Sequence, residues 1–132
     1  MICRKLFEYW KQELESEPDM WALRDWKRGI CWRNKTLREA ANQPEWTRWE
    51  HLRLHPDDLR AIEDSHSLAI KTGKQTAVRW RMFCGNKYVP TVAVHRRIDC
   101  KGLCGKAIPC SILLGYFAFV QVRKPSRHLH AS

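Results

Sequence analysis

His66 is the side chain whose spacing most suggests contact with a ligand. Leu59, Ile62, His66, Ala69 and Ile70 recur at three- and four-residue intervals, so a helix through them carries one imidazole on an otherwise apolar face. A neutral imidazole there can orient a small molecule or ligate a metal, and the plainer reading is a hydrogen-bonded core histidine. Two acidic residues, Asp57 and Asp58, stand at the start of the same stretch. Adjacent residues on a helix point apart, so they do not form an acid–base pair. Their place behind Pro56 suits the positive end of a helix dipole.

A second cluster with chemical potential is Cys100, Cys104 and Cys110, with His95 five residues upstream as a fourth candidate ligand for zinc. The spacing misses the paired short-knuckle pattern, which favours thiols packed on or beside strands. Cys3, Cys31 and Cys84 complete a set of six. The N-terminus turns charged at once and has neither an apolar h-region nor a small-residue cleavage site, so reduced thiols and a cytoplasmic location are expected. No Gly-x-Ser-x-Gly elbow, Gly-rich phosphate loop or His-Glu-x-x-His motif is present, and an enzyme is not expected.

The elements that must position these residues fit one domain of 132 residues, with 44% hydrophobic and 29% charged residues. Lys and Arg number 24 against 14 Asp and Glu, a formal charge of +10 that favours acidic partners without specifying a fold. In a nucleic-acid-binding reading, Arg79, Arg81, Arg96, Arg97 and the tail from Lys124 to His130 would meet phosphates, although basic residues on an exposed sheet face are usually a solvated surface. The longest apolar stretch, Ile112 to Val120, is interrupted by Gly115 and too short to cross a bilayer as a helix.

Along the chain, Leu6, Phe7, Trp10 and Leu14 fall on one face of a helix that Pro18 stops. That stripe either caps the domain's own core or pairs two copies. Residues 20–34 read as a hairpin turning near Gly29, and 36–42 as a short helix. Residues 45–54 form an aromatic-rich turn or helix, and a long helix runs from His55 to Lys71 with Thr72-Gly73 as its stop. Strands follow at 76–84, at 88–98 with Pro90 awkwardly inside, and from about 108 to 123. The pattern is α+β, a sheet covered on one face by helices. Residues 1–17 form the amphipathic helix, 18–123 the domain and 124–132 a basic tail.

Several signals in order resemble the PAS domains. Trp26 to Asn34 is similar to that family's "Gly, apolar, x, aromatic, x, Asn" hairpin. His55-Pro56-Asp57-Asp58 with its following helix resembles the His-Pro-Asp-Asp element. Val78 to Arg81, then Gly85, Tyr88 and Asp99 to Gly102, look like its C-terminal strands and turns. The resemblance covers about Trp21 to Val122. It implies a five-stranded antiparallel sheet with helices on one face and a role in signalling, by pairing or by binding a small molecule. The pocket it implies is lined by Trp32, Leu52, Leu59, Ile62, His66, Val78, Trp80 and Met82. Haem-binding members use a histidine on the helix before the long strands, where His66 stands, while nothing matches the "Asn-Cys-Arg" signature of flavin-reactive members. With no room for an output domain, such a module would signal by pairing with itself, through Leu6, Phe7, Trp10 and Leu14, or with a separate signalling protein.

Overall fold

In a computed structural model, which describes residues 4–26, 28–100 and 111–120, every strand alternates between two differently covered faces of one sheet. The sheet has six antiparallel strands in the order β3-β2-β1-β6-β5-β4. They are β1 (Met20–Asp25), β2 (Ile30–Arg33), β3 (Trp46–Arg48), β4 (Thr76–Cys84), β5 (Lys87–Asp99) and β6 (Ser111–Phe119). The helices are α1 (Arg4–Leu14), α2 (Lys35–Ala41) and α3 (Leu59–Thr72). The strand beyond the expected five is β3, three residues from the aromatic-rich stretch that pair with β2 through Cys31 and Thr47.

Registers assign the faces. Ala22 of β1 lies opposite Arg33 and Gly115, and Arg24 lies opposite Cys31 and Leu113, so these share the face that α2 and α3 cover. On β5 and β4 that face continues through Ala93 and His95, then Val78, Trp80 and Met82. The intervening residues, Leu23, Trp32, Ile112 and Leu114, point the other way and meet Leu6, Phe7 and Leu14 of α1 in a buried cluster that includes Cys100. The domain's own helices α2 and α3 therefore share one face, as expected, and the N-terminal α1 covers the other. Leu6, Phe7 and Leu14, a candidate pairing surface by sequence, are instead core residues of their own domain, because the apolar stripe of α1 is buried on β1, β2 and β6. Trp10 packs at the edge of that cluster. Phe7 also stacks on Trp46 at 5.6 Å, with the Lys11 ammonium 5.0 Å from the same indole.

Asn34 locks the first hairpin to both helices beside it. Its side-chain carbonyl accepts from the backbone N–H groups of Trp21 and Leu37, and its amide donates to the carbonyls of Leu14 and Asp19, at 2.9–3.1 Å. The residue is fully buried, caps α2, and uses every hydrogen-bonding position an amide offers through partners at the end of α1, the start of β1 and the first turn of α2.

Pro90 does not interrupt β5. Its carbonyl faces β6, accepting from the Val120 N–H just beyond the end of that strand, so its missing donor costs no bond to β4. At the end of α3, Gly73 takes a left-handed conformation (φ 69°) and returns its N–H to the Ala69 carbonyl, the stop expected of Thr72-Gly73. Asp58, in contrast, does not cap α3 with its side chain. Its carboxylate forms a two-pronged pair with the Arg81 guanidinium (2.9 and 3.0 Å) and accepts from the Arg81 backbone N–H, fastening the start of α3 to β4. The same hydrogen bonds hold the Asp58 carboxyl below the usual carboxylate range.

Replacing Asn34 by Ala removes a cap and leaves buried backbone groups of three segments unpaired. A loss of roughly 3 kcal/mol is expected, read as a lower urea midpoint at unchanged slope. Asn34→Asp should be similarly damaging because it keeps the acceptors and loses both donors. A change under about 0.5 kcal/mol in either variant would show that Asn34 is not the hairpin's anchor.

Candidate ligand site

Between the sheet and α2–α3 lies a cavity of about 70 Å³. The strands supply Ala22, Arg24, Trp80, Met82, His95 and Gly115, the helices Leu37, Ile62 and His66, and the stretch before α3 Trp49, Leu52 and Leu54. Gly115 stands opposite both Ala22 and His95. A Cβ there would come within 2.9 Å of the Phe117 ring, so glycine leaves that ring its place against the sheet.

The polar wall is a chain of hydrogen bonds whose direction Arg24 sets. A guanidinium only donates, and Arg24 Nη1 lies 2.7 Å from His66 Nδ1, so that nitrogen is an acceptor and carries no proton. The proton of His66 then sits on Nε2, 2.8 Å from His95 Nε2, which must accept in turn. His95 is thereby protonated on Nδ1 and donates to Ser65 Oγ at 3.1 Å. Ser65 Oγ lies 2.9 Å from Thr76 Oγ1, and the Thr76 hydroxyl donates to the Ser65 carbonyl, also at 2.9 Å, which leaves Ser65 as donor to Thr76. One buried cation fixes two tautomers and two hydroxyl rotors.

Electrostatics act in the same direction. Burial first, then His95 and Arg24, push the His66 pKa down to about 2; burial and Arg24 push His95 down to about 4. Both imidazoles are neutral at pH 7. The Arg24 guanidinium is clamped between Trp26 and Trp49, 4.0 and 3.5 Å from the ring centroids, which explains how a charge can sit here with the residue 8% exposed.

This geometry bears directly on three chemistries. Haem does not fit: both His66 nitrogens are engaged, leaving no lone pair for iron, and the space is about half that of an apolar cavity of roughly 150 Å³ that holds benzene. His95 cannot complete a zinc site with Cys100, because both its nitrogens are likewise used, and no group of three or more metal-binding side chains occurs among the described residues. Cys104 and Cys110 lie outside the described residues. The Ser65–His95 contact resembles a nucleophile and its base, yet the proton runs from His95 to Ser65, the reverse of what activation requires.

Of the residues the sequence suggests for the pocket, Leu52, Ile62, His66, Trp80 and Met82 line it. Trp32 does not: it occupies the opposite face under α1, one residue out of phase with Cys31 and Arg33, and its indole donates to Glu45. Val78 is on the right face but outside the cavity, and Leu59 is exposed on α3. Arg24 and Arg33 went unseen as site residues because arginine in a short strand ordinarily means surface; Met20, Ala22 and Arg24 alternating ahead of Trp26 was the available signal. Of the arginines assigned to phosphate contact, Arg81 is paired with Asp58, and Arg97 with Asp99 and the Ile70 carbonyl. Arg79 and Arg96 are exposed. The tail 124–130 lies outside the described residues.

No family model matches the sequence, and no curated protein does. Among solved structures, the chain is similar to one described as a sensory box histidine kinase/response regulator from Burkholderia thailandensis E264, at 12% identity and a TM-score of 0.58 over 86% of this chain and 83% of that one. The likeness shows the fold, which is PAS-like as the hairpin and His-Pro-Asp-Asp motifs imply, with β3 added at one edge.

Lowered histidine pKa values make stability depend on pH with a definite sign. Unfolded imidazoles bind protons below about pH 6.5 while the folded pair does not, so the contribution is complete above that pH and is lost as pH falls below it, down to about 4 for His95 and about 2 for His66. Below pH 6 the two sites together should remove up to about 3 kcal/mol of stability per pH unit, at about 1.4 kcal/mol per site. Urea titrations at pH 7, 6 and 5 should show this fall in the wild type and a shallower one in His66→Gln. A flat profile would mean that the imidazoles are not held neutral.

Proposed function

We propose that the chain is a sensory module that takes a small ligand into the cavity between its sheet and α2–α3. It passes the ligand's presence on by pairing with a second copy or with a separate signalling protein. The observation that carries this reading is the cavity itself: a mostly apolar space at the centre of the domain whose polar groups converge in one fixed chain, the usual construction of a small-molecule site. The similarity to a protein described as a sensory box histidine kinase/response regulator supports it.

The route outward begins at Arg24. Its neighbours on β1, Leu23 and Asp25, face the opposite side of the sheet, where Leu23 packs beneath α1. A ligand that displaces Arg24 moves β1 and changes the footing of α1, whose outer side carries the exposed Tyr9 and the half-buried Trp10. The reading is of a binding module and not of an enzyme. A reducing, cytoplasmic setting goes with it, in keeping with Cys31 and Cys84 as free thiols.

Filling the cavity tests the reading. Ala22→Leu adds three carbons at its wall, where about 70 Å³ is open, and should keep the fold while abolishing uptake. Native mass spectrometry of the wild type, as purified and after incubation with a fractionated small-molecule extract, should show a bound mass that Ala22→Leu lacks. A wild type that carries nothing and takes up nothing, or a folded Ala22→Leu that binds equally well, would overturn it.

A further inference from the structure

We propose that the ligand is a small organic carboxylate, its anionic group paired with Arg24 and its short apolar body held against Leu37, Ile62, Met82 and Phe117. This deepens the proposed function and rests on it. The argument starts from a charge imbalance. Arg24, Arg33 and Arg53 all line the cavity, and no aspartate or glutamate does. Arg24 and Arg33 are 8% and 5% exposed, yet no ion pair among the described residues includes either one.

Arg33 is satisfied by neutral acceptors, the Thr47 hydroxyl at 2.7 Å and the Pro44 carbonyl at 3.2 Å. Arg24 is not. Its Nη1 meets His66, its Nε is buried without a hydrogen-bond partner, and Glu63 on α3 reaches it only through space. Neither imidazole nor indole supplies a full negative charge, and a buried cation without a counter-ion is costly. A guanidinium with an unused donor is the side chain best suited to a carboxylate, and the aromatic clamp of Trp26 and Trp49 holds its plane ready.

The remaining wall sets the body of the ligand. Beyond the arginines it is hydrocarbon and sulfur apart from the neutral histidines, Gln43 and the indoles of Trp49 and Trp80, the latter with its Nε1 buried and unpartnered. A volume of about 70 Å³, beside roughly 150 Å³ for a cavity that admits benzene, limits the occupant to a short chain. Acetate and propionate are the matching range.

Matched pairs of ligands on the wild-type protein test this without depending on any variant. Acetate and propionate are titrated beside acetamide and propionamide, which have the same shape without the charge, using tryptophan fluorescence and calorimetry at pH 7. The acids should bind at least tenfold tighter than the amides, and the arginine Nε–H resonance assigned to Arg24 should move on addition of acid. Amides that bind as well as the acids would overturn the anionic assignment while leaving the ligand cavity standing. Acids and amides that both fail at 10 mM, set beside an uncharged molecule captured from the extract, would overturn the assignment alone. Failure there together with no captured molecule would remove the ligand reading as well. Acid binding with no change at Arg24, or binding retained in a folded Arg24→Met, would place the anion elsewhere and overturn the proposal.

Discussion

A guanidinium that can only donate, buried where the nearest acceptor is an imidazole nitrogen, dictates the interior of this protein. Because Arg24 faces His66 Nδ1, His66 must be neutral and protonated on Nε2, and the same logic passes to His95, Ser65 and Thr76. The chain links β1 to α3, β4 and β5, with Arg24 standing 42 residues before His66. Protonating either imidazole would break a hydrogen bond and place a second cation beside Arg24, so depressed histidine pKa values and fixed tautomers are two expressions of one constraint. The indoles of Trp26 and Trp49 belong to the same account, since they offer the cation its aromatic faces where water is excluded.

The sheet separates this polar interior from an apolar one. Odd and even residues of β1 serve different helices: Ala22 and Arg24 turn to α2 and α3, Leu23 to α1. Asn34 ties the two sides together at the end of the hairpin by joining β1, α2 and the residues after α1. Asp58 and Arg81 do the same at the sheet's other margin, where α3 begins. The two covered faces therefore share β1, the strand through which the proposed function would pass a signal.

Helical periodicity made much of this legible. It placed Ile62, His66 and Ala69 on the inner face of α3 and Leu6, Phe7 and Leu14 on one face of α1, and strand alternation placed Trp80 and Met82 correctly. Periodicity cannot say what covers a face, which is why the α1 stripe fitted a dimer interface and a core equally well. Trp32 shows a second limit: in a four-residue strand the inward parity follows from the pairing register and not from the residue type, and a tryptophan is welcome on either face. Arg24 and His95 were hidden for a third reason. Their role exists only through partners 42 and 29 residues away, and no local pattern encodes that.

The tautomeric state of the two histidines tests the central claim most directly. Long-range proton–nitrogen correlation spectra of the uniformly labelled protein distinguish the nitrogens of each ring and whether it is charged. At pH 7, and still at pH 5, the chain requires His66 protonated only on Nε2 and His95 only on Nδ1. An imidazolium at either position at pH 7, or the opposite tautomer at His66, would contradict it, because Arg24 could then no longer donate to that ring.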